Sequence, residues 1–550
     1  MGTDLDINTV QDFRQLLDVY QARYDAGIRS GEFLPFVYPF ETLGSLALII
    51  FILISQRRYP LIRHLKVPLF VFIVAFEAHT IRRCKSLNFA LGYGIGLVVA
   101  WGVYWSSMLL IFNDPQQDFH RIERKGWLGA ESIEDRKTPD DSHRRLSSTD
   151  TQANDTTRRR PKEGNNDTVV NGKGSQTASA VNSYFWQSFP EESFRQRMDW
   201  IADLISNFRG MGWNYQIYGL SGAPKDVQEQ VNQTSKDALT AENPIGRGPT
   251  GNYRYLDRRT LLQKKLVVMA MFYMSLDLVK LVMMADPHFW GRQNSAPPAH
   301  YPQLLHDSPL LLRYFRLIVG LIGVYAALQF IYTLAPLFFV GLVGTERIGV
   351  RAEPWMYPDM FGEFRIILDK GLAGWWGGWW HQIFRYAFAT PSAYILKRYE
   401  ISPKSLPAKT LQLFVAFVLS GLVHSCGSYT QLATTRPFNG PFAFFCLQGV
   451  GITLQTLITE GLKKIGVLDR VPKNIRRIGN FVYVFSWLRY TSPMLLDDFA
   501  RGGVWLFEPV PISPLRALGF GLKGESWWRW SGTWVRWHRG EHWWDSGFAL

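Results

Sequence analysis

Four long stretches without a charged side chain constrain this chain more than any other feature of its 550 residues. Residues 317–344 read LIVGLIGVYAALQFIYTLAPLFFVGLVG, with no Asp, Glu, Lys, Arg or His. Residues 86–113 and 437–459 are equally clean, and 410–435 is interrupted only by His424. At a rise of about 1.5 Å per residue, roughly 20 apolar residues cross the hydrocarbon of a bilayer. A soluble fold has no use for four such runs. The expectation is therefore an all-α polytopic membrane protein. Residues 36–55 add a candidate span despite Glu41, and weaker ones lie near 266–284, 375–396 and 478–495, giving about eight transmembrane helices.

Between these runs the composition changes sharply. A polar lead-in (1–35) precedes a first membrane block (36–123). Residues 124–182 are rich in Ser, Thr, Asn, Asp and Arg and poor in large apolar side chains, so they cannot bury enough area to offset chain entropy. A long disordered polar loop is expected there, with sequons at Asn154 and Asn166 that matter only if the loop is lumenal. Residues 183–258 look ordered and amphipathic, with Phe194, Met198, Ile201 and Ile205 at helical spacing. A second, larger membrane block (259–498) leads to a Trp/Arg-rich tail (499–550) whose aromatic and basic side chains suit a headgroup layer. Within that tail His538 and His542 are four apart, but HRGEH lacks the layout of a zinc helix, so no metal is expected.

The net charge of +14 fits basic loops on the cytosolic side, and no nucleic-acid module accompanies it. Arg57-Arg58 and Arg82-Arg83 flank one short apolar run, which leaves the loop topology open. The start, MGTDLDINTVQDF, has no secretory layout, and Asp6 stands where a myristoylation signal needs Ser or Thr. Cys84, Cys426 and Cys446 suit buried thiols rather than a disulfide framework.

Two of the eleven histidines lie where solvent does not explain them. His424 sits in FVAFVLSGLVHSCGSY, and His381 in the Trp-rich stretch GGWWHQIFR. An ionisable group at membrane depth costs several kcal/mol if charged unless it faces a cavity or a partner. Burial favours the neutral imidazole, which can take a proton from an alcohol. Ser420 and Gly421 ahead of His424, and Gly371, Gly374, Gly377 and Gly378 ahead of His381, are small enough to leave room for a groove. Two neutral histidines hydrogen-bonded between helices, or lining a transport path, fit the same residues.

The segment from Pro358-Asp359-Met360-Phe361-Gly362 through Trp375-Trp376 to Trp379-Trp380-His381-Gln382-Ile383-Phe384-Arg385 resembles the signature of the wax-synthase-like branch of the membrane-bound O-acyltransferases. Ser420-Gly421-Leu422-Val423-His424 is similar to the family's later small-residue-plus-His motif. Phe112-Asn113-Asp114-Pro115-Gln116, Arg209-Gly210-Met211-Gly212-Trp213-Asn214 and the closing Trp537-His538-Arg539-Gly540 resemble fungal members that acylate terpenoid or other secondary-metabolite alcohols. One departure is the glycine pair before Trp379, where the family pattern would place arginines.

The resemblance implies an acyl-CoA-dependent O-acyltransferase of the endoplasmic reticulum whose catalytic block is 259–498. It implies His424 as catalytic base, His381 as its partner, and Trp379, Trp380, Gln382, Arg385 and Ser420 as substrate-binding residues. Acetyl-CoA or another acyl-CoA would be co-substrate, with no bound cofactor. The acceptor would be an apolar alcohol arriving through the bilayer, and Lys397-Arg398 would be further candidates for phosphate contacts. A long-chain wax ester synthase is the alternative enzyme, and a lipid or small-molecule transporter the alternative class.

Overall fold

Six of the twelve helices named below in the computed structural model, which describes residues 12–127, 183–234, 246–530 and 535–550, start at a side chain that satisfies a first-turn amide. Asp12 caps α1 (Phe13–Ser30). A short strand β1 (Val37–Tyr38) precedes the paired helices α2 (Leu43–Leu53) and α3 (Lys66–Arg83). Asn88 caps α4 (Phe89–Ser107), which continues as a wider turn to Phe112. Strands β2 (Arg121–Arg124) and β3 (Tyr184–Gln187) pair antiparallel with Arg121 opposite Gln187. Ser193 caps α5 (Phe194–Ser206), Asp257 caps α6 (Arg258–Ala285), and Ser308 caps α7 (Pro309–Pro336). Then come α8 (Arg365–Gly374), α9 (Arg385–Arg398), α10 (Leu406–Tyr429) capped by Ser405, α11 (Ala443–Lys464) and α12 (Lys473–Arg501). Near the C-terminus β4 (Arg536–His538) and β5 (Gly547–Ala549) join β1 in a three-stranded sheet with β5 in the middle.

Among the described residues, five helices are long and apolar enough to cross a membrane: Phe89–Phe112, Arg258–Ala285, Pro309–Val343, Leu406–Tyr429 and Phe438–Lys464. That is fewer than the eight expected. The segment Phe40–Leu53 is apolar but short, α3 carries Glu77, Arg82 and Arg83, and α12 carries Arg476, Arg477, Arg489, Asp497 and Asp498. The fold is mostly helical, but not all-α, since strands of two to four residues tie segment ends together. Most of the expected disordered loop, with Asn154 and Asn166, lies outside the described residues. Its first residue, Arg124, ends β2.

The stretch 375–396, read as a weak span, is not one. Helix α8 starts beside α12, where Arg477 Nε meets Asp369 Oδ1 at 2.7 Å. The α9 residue Tyr394 packs its ring 5.4 Å from Phe112, at the far end of α4. That end of α4 also leads into β2, beside the starts of α6 and α8. The chain therefore dips to mid-depth and returns to the same end of the bundle. Two helices of 10 and 14 residues are too short for more.

Outside the helical bundle, α5 and the β2–β3 pair surround a buried charge cluster. Arg121, 1% exposed, meets Glu123, Asp199 and Asp203, and Arg351 reaches Glu123 and Asp199 from the segment after α7. The inner face of α5 is Gln196, Trp200, Ile201, Asp203 and Leu204, while Phe194 and Met198 of the expected stripe stand outside.

Candidate active site

The hairpin between α8 and α9 is shaped by Gly371, whose φ of 60° is left-handed. The side chain of Gln455 presses where a Cβ at Gly371 would stand. Its Oε1 accepts from Leu372 N at 2.8 Å, and its Nε2 donates to Asn480 Oδ1 at 2.9 Å, while Asn480 Nδ2 donates to Leu368 O at 2.8 Å. This kink turns the chain into a wide helical turn over Trp375–Trp379. The expected role of the glycines is only partly right. Gly374 and Gly378 are small because Ile366 lies against them, and Gly377 alone faces open space.

The tryptophans build walls around this turn. Trp379 stacks on Tyr325 at 5.3 Å, and Trp380 stacks on Trp375 at 6.3 Å. Gln382 holds the loop: its Nε2 donates to Trp376 O at 2.8 Å and to Trp380 O at 2.6 Å. Its Oε1 accepts from Arg385 Nη1 at 2.9 Å, and that nitrogen also reaches Gly377 O at 3.1 Å. Both amide hydrogens of Gln382 are thus committed to main chain, so it positions the loop instead of offering a donor to substrate.

His381 follows, its ring edge-on to Phe361 and Tyr332, each 6.1 Å away. Its Nδ1 is buried and has no hydrogen-bond partner among the described residues. The two neighbouring rings line different cavities. Phe361, with Tyr325, Lys264 and Lys265, lines one of 540 Å³. Tyr332, with Ile383 and Arg209, lines one of 480 Å³. Neither lining includes His381 or His424 itself. Arg209 also clamps the start of the hairpin, donating to Pro358 O and Asp359 O at 3.0 Å each. Asp359 is gripped further by Lys265 Nζ at 2.7 Å and Tyr255 Oη at 2.9 Å.

His424 lies on α10, which packs closely on α4 because Gly96 has no Cβ to strike the Cys426 carbonyl. That contact brings Tyr93 Oη to 2.8 Å from His424 Nδ1. Phe445 stacks on a face of the imidazole at 4.4 Å with an interplanar angle of 9°. Ser420 stands one helical turn before His424 on the same face, and its hydroxyl has no hydrogen bond among the described residues. Asp498, fully buried, fixes the end of α10 by accepting from Ser428 Oγ and Arg436 N, each at 2.6 Å.

The structure brings the two histidines into one region. Rings connect them in the order His381, Trp380, Trp376, Phe445, His424 at centroid spacings of 5.4, 5.9, 5.7 and 4.4 Å. Lys397 and Arg398 lie at the end of α9, away from this region. Sequence reasoning missed Tyr93, Gln448 and Gln455, polar residues inside uncharged runs. Gln448 accepts from Trp376 Nε1 at 3.3 Å. Their polarity in apolar spans is the signal that could have exposed them.

Residues 357–447, from the hairpin through His424 to the start of α11, match the family model described as the membrane bound O-acyl transferase family. The chain is similar to acetyltransferase ple2 of Rhodocybe pseudopiperita, 24% identical over 57% of this chain and 69% of that protein. It is similar to acetyltransferase eriL of Hericium erinaceus, 24% identical over 62% and 75%. It also resembles O-Mevalon transferase macI of Penicillium terrestre, 24% identical over 54% and 62%. No solved structure matches. The resemblance to membrane-bound O-acyltransferases is thus borne out, and acyl transfer is the enzymatic class that accompanies it.

Proposed function

We propose that the chain moves an acyl group, acetyl in the reading favoured here, from an acyl-CoA thioester to a hydroxyl of an apolar secondary metabolite such as a terpenoid. His424 is the general base. The observation that carries this is the fixed imidazole of His424, bonded through Nδ1 to Tyr93 and joined to the hairpin of His381 through Phe445 and Trp376. With Nδ1–H donating to Tyr93 Oη, the lone pair of Nε2 is free for a substrate proton.

The alcohol oxygen attacks the thioester carbon as its proton passes to His424 Nε2. The tetrahedral intermediate then collapses, the C–S bond breaks, and the coenzyme A sulfur leaves and takes up that proton. The thioester is already activated, so no covalent enzyme intermediate is needed. General base assistance contributes about 10²–10⁴-fold. His381, whose Nδ1 lacks a partner among the described residues, donates a hydrogen bond to the oxygen that gains charge. Trp376 and Phe445 fill the space between the histidines, so bound substrates must part these rings.

The polyanionic donor approaches through the cavity bordered by Arg209 and Tyr332. That end of the bundle carries Lys397, Arg398, Lys463, Lys464, Lys473, Arg476 and Arg477, which supports a cytosolic face of the endoplasmic reticulum membrane. At the opposite end the exposed Trp527, Trp528, Trp537 and Trp543 rest in the headgroup layer. Acetyl is favoured over a long chain because the relatives ple2 and eriL are acetyltransferases by name.

The test is incubation of microsomes containing the protein with radiolabelled acetyl-CoA or palmitoyl-CoA and a panel of terpenoid and fatty alcohols. Label from acetyl-CoA in an organic-soluble ester is expected. Label from palmitoyl-CoA alone would replace the reading with wax ester synthesis, and no label from either would end it.

A further inference from the structure

A cavity of 170 Å³ lies between α2, α3 and α4 and has no part in the mechanism above. Leu48, Ile73, Trp101, Trp105 and Phe208 wall its inner end. Ser45 and Val98 stand at its rim and are exposed on the outside of the bundle, beside Leu46 and Ile50, which are also exposed. The one ionisable group in the lining is Glu77, only 2% exposed. No hydrogen bond or ion pair engages its carboxyl among the described residues. Gly44 makes space for it, since a Cβ there would strike Oε1. The neighbouring Glu41, by contrast, has a partner, accepting from Thr80 Oγ1 at 2.8 Å.

A carboxyl buried among apolar side chains is costly without a partner, and this one faces a cavity with a lateral mouth. We propose that the cavity binds the hydroxyl end of an apolar alcohol drawn sideways from the bilayer, with Glu77 as its hydrogen-bond partner. The cavity is too small for a polycyclic body, which stays in the lipid beside Val98 and Ile50. An ammonium ligand would match the carboxyl and the indole faces, but it would have to shed its hydration to arrive through hydrocarbon. An uncharged hydroxyl does not.

The site also borders the proposed reaction. Trp101 packs 4.7 Å from Phe384, and Phe384 packs 5.7 Å from His381. One aromatic layer therefore separates the cavity from the hairpin. Its assignment as the waiting place of the acceptor rests on the acyl-transfer reading, but alcohol binding does not.

The experiment uses the full chain in lipid nanodiscs with a diazirine-bearing farnesol, and maps the photolabel by peptide mass spectrometry. Label is expected on the peptides holding Leu46 to Ile50 and Val98 to Trp105, competed by farnesol but not by farnesene or farnesylamine. Glu77→Gln should cut the labelling about 10-fold. Val98→Trp, a change on the exposed rim that leaves the core untouched, should do the same by closing the mouth. Competition by farnesene equal to that by farnesol, stronger competition by the amine, or undiminished label in both variants would overturn the proposal. Specific labelling in a protein that transfers no acyl group would remove the acyl-transfer reading alone. Acyl transfer with unspecific labelling would remove this inference alone.

Discussion

Replacing Tyr93 with Phe removes one oxygen and leaves nearly everything else in place. The ring retains its edge contact with Phe499 at 4.9 Å and its position against α10. What disappears is the 2.8 Å hydrogen bond to His424 Nδ1. When Nε2 takes the substrate proton, Nδ1–H becomes the donor of an imidazolium, and a hydrogen bond from a charged group contributes about 1.5–3 kcal/mol. Because this charge exists only as the proton moves, the loss falls on the transition state. The neutral imidazole already makes this bond, worth about 0.5–1.5 kcal/mol. The increment of about 1–1.5 kcal/mol should therefore lower kcat about 5- to 10-fold at 1.36 kcal/mol per factor of ten, with KM for the acyl-CoA nearly unchanged. The assay is initial-rate acyl transfer in detergent or nanodiscs, normalised to monodisperse protein. Wild-type kcat in Tyr93→Phe would refute the reasoning, because a base whose second nitrogen needs no support is not held as described here.

Three further outcomes follow from the geometry. Gln382→Ala deletes both donations to the loop carbonyls and the acceptor of Arg385, so His381 should drift and turnover should fall about 10²-fold, read by the same rate assay. Gly371→Ala forces a side chain into a left-handed conformation already crowded by Gln455, and should cost about 1–3 kcal/mol, seen as a lower melting temperature in detergent. Arg121→Met leaves Glu123 and Asp199 to Arg351 and takes from Asp203 its ion-pair partner, and a loss of about 3–5 kcal/mol should show as a collapse of monodisperse yield on size exclusion.

The long uncharged runs made the membrane class legible, because absence of charge over 20 or more residues has few other causes. The two histidines were legible for the same reason, as polar exceptions in apolar surroundings. The hairpin was not. Trp375 to Leu396 is apolar enough to suggest a span, and only the kink at Gly371, made by Gln455 and Asn480 from distant helices, turns the chain back. Gln382 looked like a substrate ligand because its neighbours are chemical. Its three hydrogen bonds to the loop could not be read from spacing. Tyr93 lies 331 residues from His424, and pairing across such a separation is set by helix packing.

The most direct measurement of the central claim is the acyl-transfer rate of His424→Ala at equal amounts of folded protein, with labelled acetyl-CoA and an accepted alcohol. Removal of the base predicts a fall of about 10²–10⁴-fold without loss of acyl-CoA binding. A variant that turns over at the wild-type rate would contradict the account.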